Sequence, residues 1–132
     1  MKKEFDFADK LILIAENDET NFVFYKEAFR KTNAKILWAK NGKQAVDIFK
    51  ENPNIDLIIM DIQMPLKNGY EATSEIKKIK NVPIIVLTAF AMKSVKQKCI
   101  DLQCDEFITK PVKSRELLSI ADKTFHMINH NV

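Results

Sequence analysis

Residues 57–61 read LIIMD, four apolar residues followed by an aspartate. Two further runs, Leu11–Ala15 and Ile84–Leu87, are apolar throughout in the same way. Strands that are covered by helices on both faces tend to have this composition, because neither face of the strand meets water. The three runs therefore predict a parallel sheet at the centre of the protein.

The rest of the chain alternates between strand-like runs and amphipathic segments. We predict strands at Leu11–Ala15, Ile36–Ala39, Leu57–Met60, Ile84–Leu87 and Glu106–Ile108. We predict helices at about Thr20–Lys31, Lys43–Glu51, Gly69–Lys78, Met92–Leu102 and Ser114–Phe125. Five strands that alternate with five helices make a doubly wound α/β domain, with helices on both faces of the sheet.

The composition is that of one ordinary globular domain. The chain has 132 residues, of which 46% are hydrophobic and 30% charged, and its formal net charge is +3. This length suffices for a single domain with a sizeable core. The lysines are scattered apart from a cluster at Lys93, Lys96 and Lys98, and no arginine-rich arm is present. Solvated helix faces are therefore favoured over nucleic-acid binding.

Two features bear on the compartment. No stretch approaches the roughly 18 consecutive apolar residues of a membrane span, and the N-terminus MKKEFDFADK has no apolar signal core. Cys99 and Cys104 are five positions apart with no histidine nearby, which favours two reduced thiols over a metal site or a redox pair. We therefore expect a cytoplasmic protein that does not bind membranes.

Polar side chains follow the predicted strands at their carboxyl ends, where ligands bind in such sheets. They are Glu16, Asn17 and Asp18 after the first strand, Asp61 after the third, Thr88 after the fourth and Lys110 after the fifth. Carboxylate and amide oxygens suit Mg²⁺, while a lysine and a hydroxyl suit a phosphoryl group. Asp61, held rigidly by the apolar run before it, can act as a nucleophile toward phosphorus.

Three ordered motifs, MDIQMPLKNGYEAT at 60–73, PIIVLTAFA at 83–91 and CDEFITKPV at 104–112, resemble the signatures of response regulator receiver domains. MDIQMP and GYEAT are most similar to receivers attached to hybrid sensor histidine kinases. The resemblance implies a flavodoxin-like sheet with strand order 2-1-3-4-5. It implies an N-terminal tail or linker at 1–10, a receiver domain at 11–126 and a C-terminal tail at 127–132.

The resemblance also implies roles for individual residues. Asp61 matches the aspartate that takes a phosphoryl group from a phosphohistidine of a sensor histidine kinase or a histidine phosphotransfer protein. Lys110, in a Lys-Pro pair that is usually cis in this family, matches the lysine that pairs with phosphate oxygens. The two positions of the conformational switch are occupied by Thr88 and Phe107. The positions that modulate the phosphorylated state are occupied by Gln63, Ala89 and Phe90. Such a protein catalyses only its own phosphorylation and dephosphorylation.

The implied Mg²⁺ site contains one departure from the family. Its ligands would be Glu16, Asn17, Asp61 and the backbone carbonyl of Gln63, with Asp18 contributing through a bridging water. The family has an acidic pair where this chain has Glu16-Asn17, so the direct ligand becomes a neutral amide oxygen. Because one carboxylate around the dication is lost, we expect Mg²⁺ binding to be weaker by about 1–2 kcal/mol.

A second departure lies before the fifth strand, where Gln103 replaces the glycine that is usual in the family. Glutamine in a left-handed turn costs about 1 kcal/mol, so this turn is open to reshaping. The family meets its partners on the face from the fourth helix to the fifth, which implies a downstream protein or a homodimer. The tail HMINHNV is too short for an output domain, so we expect output through another protein.

Two other classes of function stay open. A receiver-like interaction module that has lost phosphotransfer is favoured by Asn17, although the residues expected to bind the phosphoryl group are all present. A metal-dependent phosphohydrolase, or a nucleotide or flavin binder on a similar sheet, is disfavoured. Gly42 and Gly69 do not form a phosphate loop after the first strand, and Asp61-Ile-Gln lacks a second aspartate.

Overall fold

The structure, a computed structural model, describes residues 5–64, 66–89 and 93–130, the side chains of 93–95 and 128–130 excepted. The strands are β1 Leu11–Ala15, β2 Lys35–Ala39, β3 Leu57–Asp61, β4 Ile84–Thr88 and β5 Glu106–Thr109. The helices are α1 Glu19–Phe29, α2 Gly42–Glu51, α3 Gly69–Ile79, α4 Lys93–Asp101 and α5 Ser114–His130, with a 3₁₀ turn at Arg30–Thr32 after α1. The predicted alternation of strands and helices is confirmed.

The five strands form one parallel sheet in the order β2-β1-β3-β4-β5, which confirms the predicted fold class and strand order. All residues of β3 and β4 are buried, as their apolar sequences predicted. The chain leaves β1 toward β2 on one side and returns to β3 on the other, so the strand order reverses between β1 and β3. The crevice beyond their carboxyl ends is where ligands bind in sheets of this kind.

A hydrophobic core covers each face of the sheet. Ile12 and Ile14 of β1 point toward the layer that contains α1 and α5, and Leu13 and Ala15 point toward the layer that contains α2 and α3. This alternation follows from the pleat, which turns successive side chains of a strand to opposite faces. Since both faces are buried, β1 holds the residues that follow Ala15 in a fixed place.

None of the described helices is long and apolar enough to cross a bilayer.

Three strands, β3, β4 and β5, end one residue later than the sequence predicts, and β2 begins one residue earlier. Asp61 is the last residue of β3 and Thr88 the last residue of β4, although both were predicted to follow their strands. α5 also extends beyond Phe125 to His130. Pairing with the neighbouring strands keeps these polar residues in the extended strand conformation. This pairing cannot be predicted from the side-chain composition alone.

The turn between α4 and β5 keeps the conformation that its family glycine would adopt. Gln103 has a φ of 62°. The Cys104 N–H donates to the Cys99 carbonyl at 3.0 Å and the Gln103 N–H donates to the Ile100 carbonyl at 3.1 Å, which are the two bonds of a Schellman motif. The turn is therefore not reshaped, and Gln103 bears the cost of a left-handed backbone.

The expectation of two reduced thiols is wrong for this structure, in which Cys99 and Cys104 form a disulfide. In a Schellman motif the residues at these two positions commonly touch. The left-handed Gln103 brings their Cα atoms to 5.2 Å, within the range that a disulfide needs. A spacing of five residues therefore gives a bridge because of the turn it encloses.

Candidate functional site

Asp61 occupies the carboxyl end of β3 and is buried, with 2% of its surface exposed. Its Oδ1 accepts a hydrogen bond from the Gln63 N–H at 3.2 Å, and its Oδ2 lies 3.0 Å from the Lys110 Nζ. Gly69, the first residue of α3, lies against the Asp61 backbone, and a Cβ on it would collide with the Asp61 carbonyl oxygen. The aspartate is therefore fixed from the sheet below, from the following loop and from α3.

Lys110 follows β5 and reaches Asp61 across the end of β4. Its backbone N–H donates to the Thr88 carbonyl at 2.7 Å, which anchors the residue beside β4. The Lys110-Pro111 peptide bond is cis, as the resemblance implies. The lysine side chain keeps 25% of its surface exposed while the Asp61 side chain keeps 4%. The ammonium therefore pairs with a buried carboxylate and still faces the open end of the crevice.

Thr88 and Phe107 lie on the two strands beside Asp61. Thr88 ends β4, is 3% exposed and is in register with Thr109 of β5. Phe107 of β5 is half-buried and packs against the core layer that contains α2 and α3. Ala89 is exposed directly after Thr88, and Phe90 lies outside the described residues. The sheet register thus brings Thr88 next to the Asp61–Lys110 pair.

Glu16 follows β1 and is 1% exposed. Its Oε2 accepts a hydrogen bond from the Asp18 N–H at 3.1 Å. Its Oε1 is buried and has no hydrogen-bond partner among the described residues. Burial raises the pKa of this carboxyl to about 7, and the charge of Asp61 adds to the rise while the Asp18 hydrogen bond opposes it.

Asn17 and Asp18 complete the loop between β1 and α1, and both are exposed. Asp18 is the N-cap of α1, and its Oδ1 accepts a hydrogen bond from the Thr20 N–H at 2.8 Å. Asp18 therefore has a structural role as the cap of α1, whether or not a metal ion is bound. The Asn17 side chain makes no hydrogen bond or ion pair with the described residues.

The oxygen atoms at this edge fit a hard divalent cation. The described residues contain no group of three or more aspartate, glutamate, histidine or cysteine side chains placed to hold a metal ion. The buried Oε1 of Glu16 lacks a donor, and a cation is a partner that would satisfy it. An unpaired, buried carboxylate oxygen of this kind suits Mg²⁺.

One contact at this edge comes from Trp38, for which the sequence predicts nothing beyond its place in a strand. The indole N–H of Trp38 in β2 donates to the backbone carbonyl of Glu16 at 2.8 Å. The signal in the sequence was weak, because a tryptophan on a predicted strand is first of all a packing residue.

Comparison with known proteins places these features in a family. The sequence model of the response regulator receiver domain matches residues 12–122. The chain belongs to the response regulator receiver family. The resemblance seen in the three motifs is thereby confirmed, and this receiver is a domain of two-component signalling. Receivers of this kind typically act as switches rather than as enzymes.

One curated relative is hybrid signal transduction histidine kinase I of Dictyostelium discoideum. The receiver is 38% identical to it over 118 residues, a match that covers 83% of this chain and 7% of the kinase. The chain thus spans a small part of that relative's length. The similarity to a receiver of a hybrid kinase agrees with what MDIQMP and GYEAT predicted.

Two solved structures show the same fold. A chain of the co-crystal structure of the Saccharomyces cerevisiae phosphotransfer protein Ypd1 with the receiver domain of Ssk1 has a TM-score of 0.79 and 31% identity, covering 87% of this chain and 86% of that chain. A chain of the CheX–CheY–BeF₃–Mg²⁺ complex from Borrelia burgdorferi has a TM-score of 0.84 and 25% identity, covering 88% and 89%.

Proposed function

We propose that this receiver takes a phosphoryl group from a phosphohistidine onto Asp61, and that the transfer switches its partner-binding face. The observation that supports this best is the Asp61 carboxylate, which is buried at the end of β3 with the Lys110 ammonium 3.0 Å away. Buried carboxylates are rare unless they are paired. This pair lies at the edge of the sheet where ligands bind.

In the proposed reaction a carboxylate oxygen of Asp61 attacks the phosphorus atom of the phosphohistidine. A P–O bond forms while the P–N bond breaks, and the electron pair of the broken bond stays on the imidazole nitrogen. The Lys110 ammonium, which already faces Asp61, would pair with the phosphoryl oxygens. Because the Lys110 backbone is bonded to Thr88, the lysine needs no reorganisation to meet the incoming charge.

Mg²⁺ would be held by Glu16, Asn17, Asp61 and the backbone carbonyl of Gln63, and would neutralise charge on the phosphoryl oxygens. The unsatisfied, buried Oε1 of Glu16 supports this assignment most directly. Asp18 already accepts a hydrogen bond from Thr20, so its contribution to the metal would be through water at most. The neutral Asn17 amide would make the site weaker than one with two carboxylates from this loop.

The proposed switch runs through Thr88 and Phe107. The Thr88 hydroxyl would bind the phosphoryl group, and Phe107 would follow from the neighbouring strand. Phenylalanine has no hydroxyl, so both of its states depend on packing alone. Gln63 and Ala89 lie beside the phosphoryl position and would influence how long the phosphoryl group persists.

The proposed phosphoryl donor is a sensor histidine kinase or a histidine phosphotransfer protein. The similarity to the Ssk1 receiver, whose structure was solved with the phosphotransfer protein Ypd1, supports this class of partner. For output we propose a downstream protein or a second copy of the chain on the face formed by α4, β5 and α5. Lys96 and Lys98 are exposed on α4, and Lys98 lies 4.7 Å from the Tyr70 ring of α3, on the side of α4 that faces α3.

A second function is favoured by one observation, the exposed neutral amide of Asn17 at the proposed metal position. A receiver that holds Mg²⁺ too weakly would act as a phosphorylation-independent interaction module. The two functions differ in one measurable property, the formation of an aspartyl phosphate.

The test is incubation with acetyl phosphate over a Mg²⁺ titration, with intact protein mass as the readout. We expect a labile gain of one phosphoryl group that requires Mg²⁺ and is lost in Asp61→Asn. Asp18→Asn is the matched control, because it removes one carboxylate from the same edge while an asparagine still caps α1. A folded wild-type protein that gains no mass at any Mg²⁺ concentration would establish the interaction module instead.

A further inference from the structure

Trp38 connects the edge strand β2 to the loop that carries the proposed metal ligands. Trp38 is paired with Ile14 of β1 in the sheet register, and Ile14 lies two positions before Glu16. From there the indole reaches forward, and its N–H donates to the Glu16 carbonyl at 2.8 Å. The contact therefore bears on the peptide unit that joins Glu16 to Asn17.

The indole is itself held in place from α1. The Phe22 ring is stacked on it at a centroid distance of 4.3 Å and an interplanar angle of 4°. The Lys40 ammonium lies 4.9 Å from the indole centroid. Phe22 lies one turn after the Asp18 cap, so the tryptophan joins the end of one strand to the start of a helix. Its rotamer is fixed by packing, which makes the N–H a directed donor.

The backbone of Glu16 is consequently bonded on both sides by β2. Its N–H donates to the Ala39 carbonyl at 2.9 Å, and its carbonyl accepts from Trp38. Its side chain accepts from the Asp18 N–H, which fixes the far end of the loop. With these bonds in place, the peptide plane between Glu16 and Asn17 has little freedom to rotate. The orientation of this peptide plane helps to set the direction of the Asn17 side chain.

We propose that Trp38 is a positioning residue for the Mg²⁺ site, acting through its indole N–H on the Glu16–Asn17 peptide. The inference rests on the proposed function, since it concerns the same cation. A weak neutral ligand gains most from being held in place beforehand, because the ordering of the loop then costs nothing at the moment of binding. Trp38 touches neither the cation nor the phosphoryl group in this proposal.

The decisive experiment removes the indole N–H without changing the shape of the ring. The chain has one tryptophan, so replacing tryptophan throughout by its benzothiophene analogue, in which sulfur takes the place of the N–H, alters this position alone. Mg²⁺ affinity is measured by calorimetry, and exchange of the Asn17 and Asp18 backbone amides by NMR. Loss of one neutral hydrogen bond should weaken Mg²⁺ binding roughly two- to tenfold and speed amide exchange.

Two substitutions by ordinary amino acids separate the effect of the hydrogen bond from the effect of packing. Trp38→Phe also lacks the N–H donor and should weaken Mg²⁺ binding as the analogue does. Phe22→Leu removes the stacked ring and keeps the donor, so its Mg²⁺ affinity should stay closer to that of the wild type. Equal losses in Phe22→Leu and Trp38→Phe would overturn the proposal, because packing would then explain both.

The amide exchange keeps this proposal separate from the proposed function. If the wild-type protein binds no Mg²⁺ and gains no phosphoryl group, the proposed function fails, and exchange in the analogue still reports whether the N–H orders the loop. If the analogue leaves exchange at Asn17 and Asp18 unchanged, Trp38 does not position the loop. The analogue could also show faster amide exchange with unchanged Mg²⁺ affinity, while the wild-type protein binds Mg²⁺ and is phosphorylated. The order of the loop would then not contribute to Mg²⁺ binding, and the proposal would be overturned.

Discussion

The two sides of the site differ in how their residues are held. On the proposed phosphoryl side, Asp61 and Thr88 are the last residues of two buried strands and Lys110 directly follows β5, so the sheet register fixes their places. On the proposed metal side, Glu16, Asn17 and Asp18 lie in a loop. Glu16 is buried with its Oε1 unpaired, Asn17 is exposed, and Asp18 is exposed and caps α1. Position in a sheet follows from residue order, whereas a role in a loop depends on each local contact.

The largest effect should come from the phosphoryl side. Lys110→Ala removes the ammonium beside Asp61, and we expect the rate of phosphorylation by acetyl phosphate to fall about 100-fold. Lys113→Ala, an exposed lysine three residues further on, is the control and should leave the rate unchanged. A Lys110→Ala rate close to that of the wild type would contradict a role for Lys110 in phosphorylation, because the buried pair would then be structural only.

On the metal side, Glu16 should make stability depend on pH. Its carboxyl has a pKa of about 7 in the folded protein against 4.5 as the ordinary value, so the folded state binds the proton more tightly. Without Mg²⁺, the contribution of Glu16 to the free energy of unfolding should therefore fall as pH rises from about 4.5 to about 7, by as much as about 3 kcal/mol.

Glu16→Gln isolates this contribution, since glutamine stays neutral at every pH. Urea denaturation at pH 5 and pH 8 should show the variant gaining stability relative to the wild type as pH rises. Glu19→Gln, at an exposed position at the start of α1, is the control for loss of a carboxylate elsewhere. A Glu16→Gln difference that is the same at both pH values would contradict the raised pKa.

Asn17→Asp restores the second carboxylate that the family has after the first strand, and it tests whether Asn17 is a direct metal ligand. We expect Mg²⁺ binding to tighten by about 1–2 kcal/mol, measured by calorimetry. Asn33→Asp adds the same charge at an exposed position after the 3₁₀ turn and serves as the control. If the two variants bind Mg²⁺ equally well, Asn17 does not occupy the direct ligand position.

The smallest effect should distinguish a helix cap from a metal ligand. Asp18→Ala should lower the free energy of unfolding by about 1 kcal/mol through loss of the bond to Thr20, while Mg²⁺ affinity changes little. Asp18→Ser keeps a capping oxygen without the charge and should retain the stability. A marked loss of Mg²⁺ affinity in both variants would mean that Asp18 also serves the cation.

The sequence predicts the fold well because the apolar runs and the order of elements leave few arrangements. Asp61, Thr88 and Lys110 could be named in advance since strand ends converge at one edge. The state of Glu16 could not, because its pKa depends mainly on its burial in the folded domain. The bridge between Cys99 and Cys104 was missed for a similar reason, as it depends on the left-handed backbone of Gln103.

Residues 5–10 precede β1 and were expected to be a tail or linker, yet Phe7 is 2% exposed and its ring meets Phe125 of α5 edge-on at 5.0 Å. Its N–H also donates to the Thr32 carbonyl. The family match begins only at residue 12. An expression clone or a fusion that is cut at that boundary would therefore lose a core aromatic residue, and the cut belongs before Phe5.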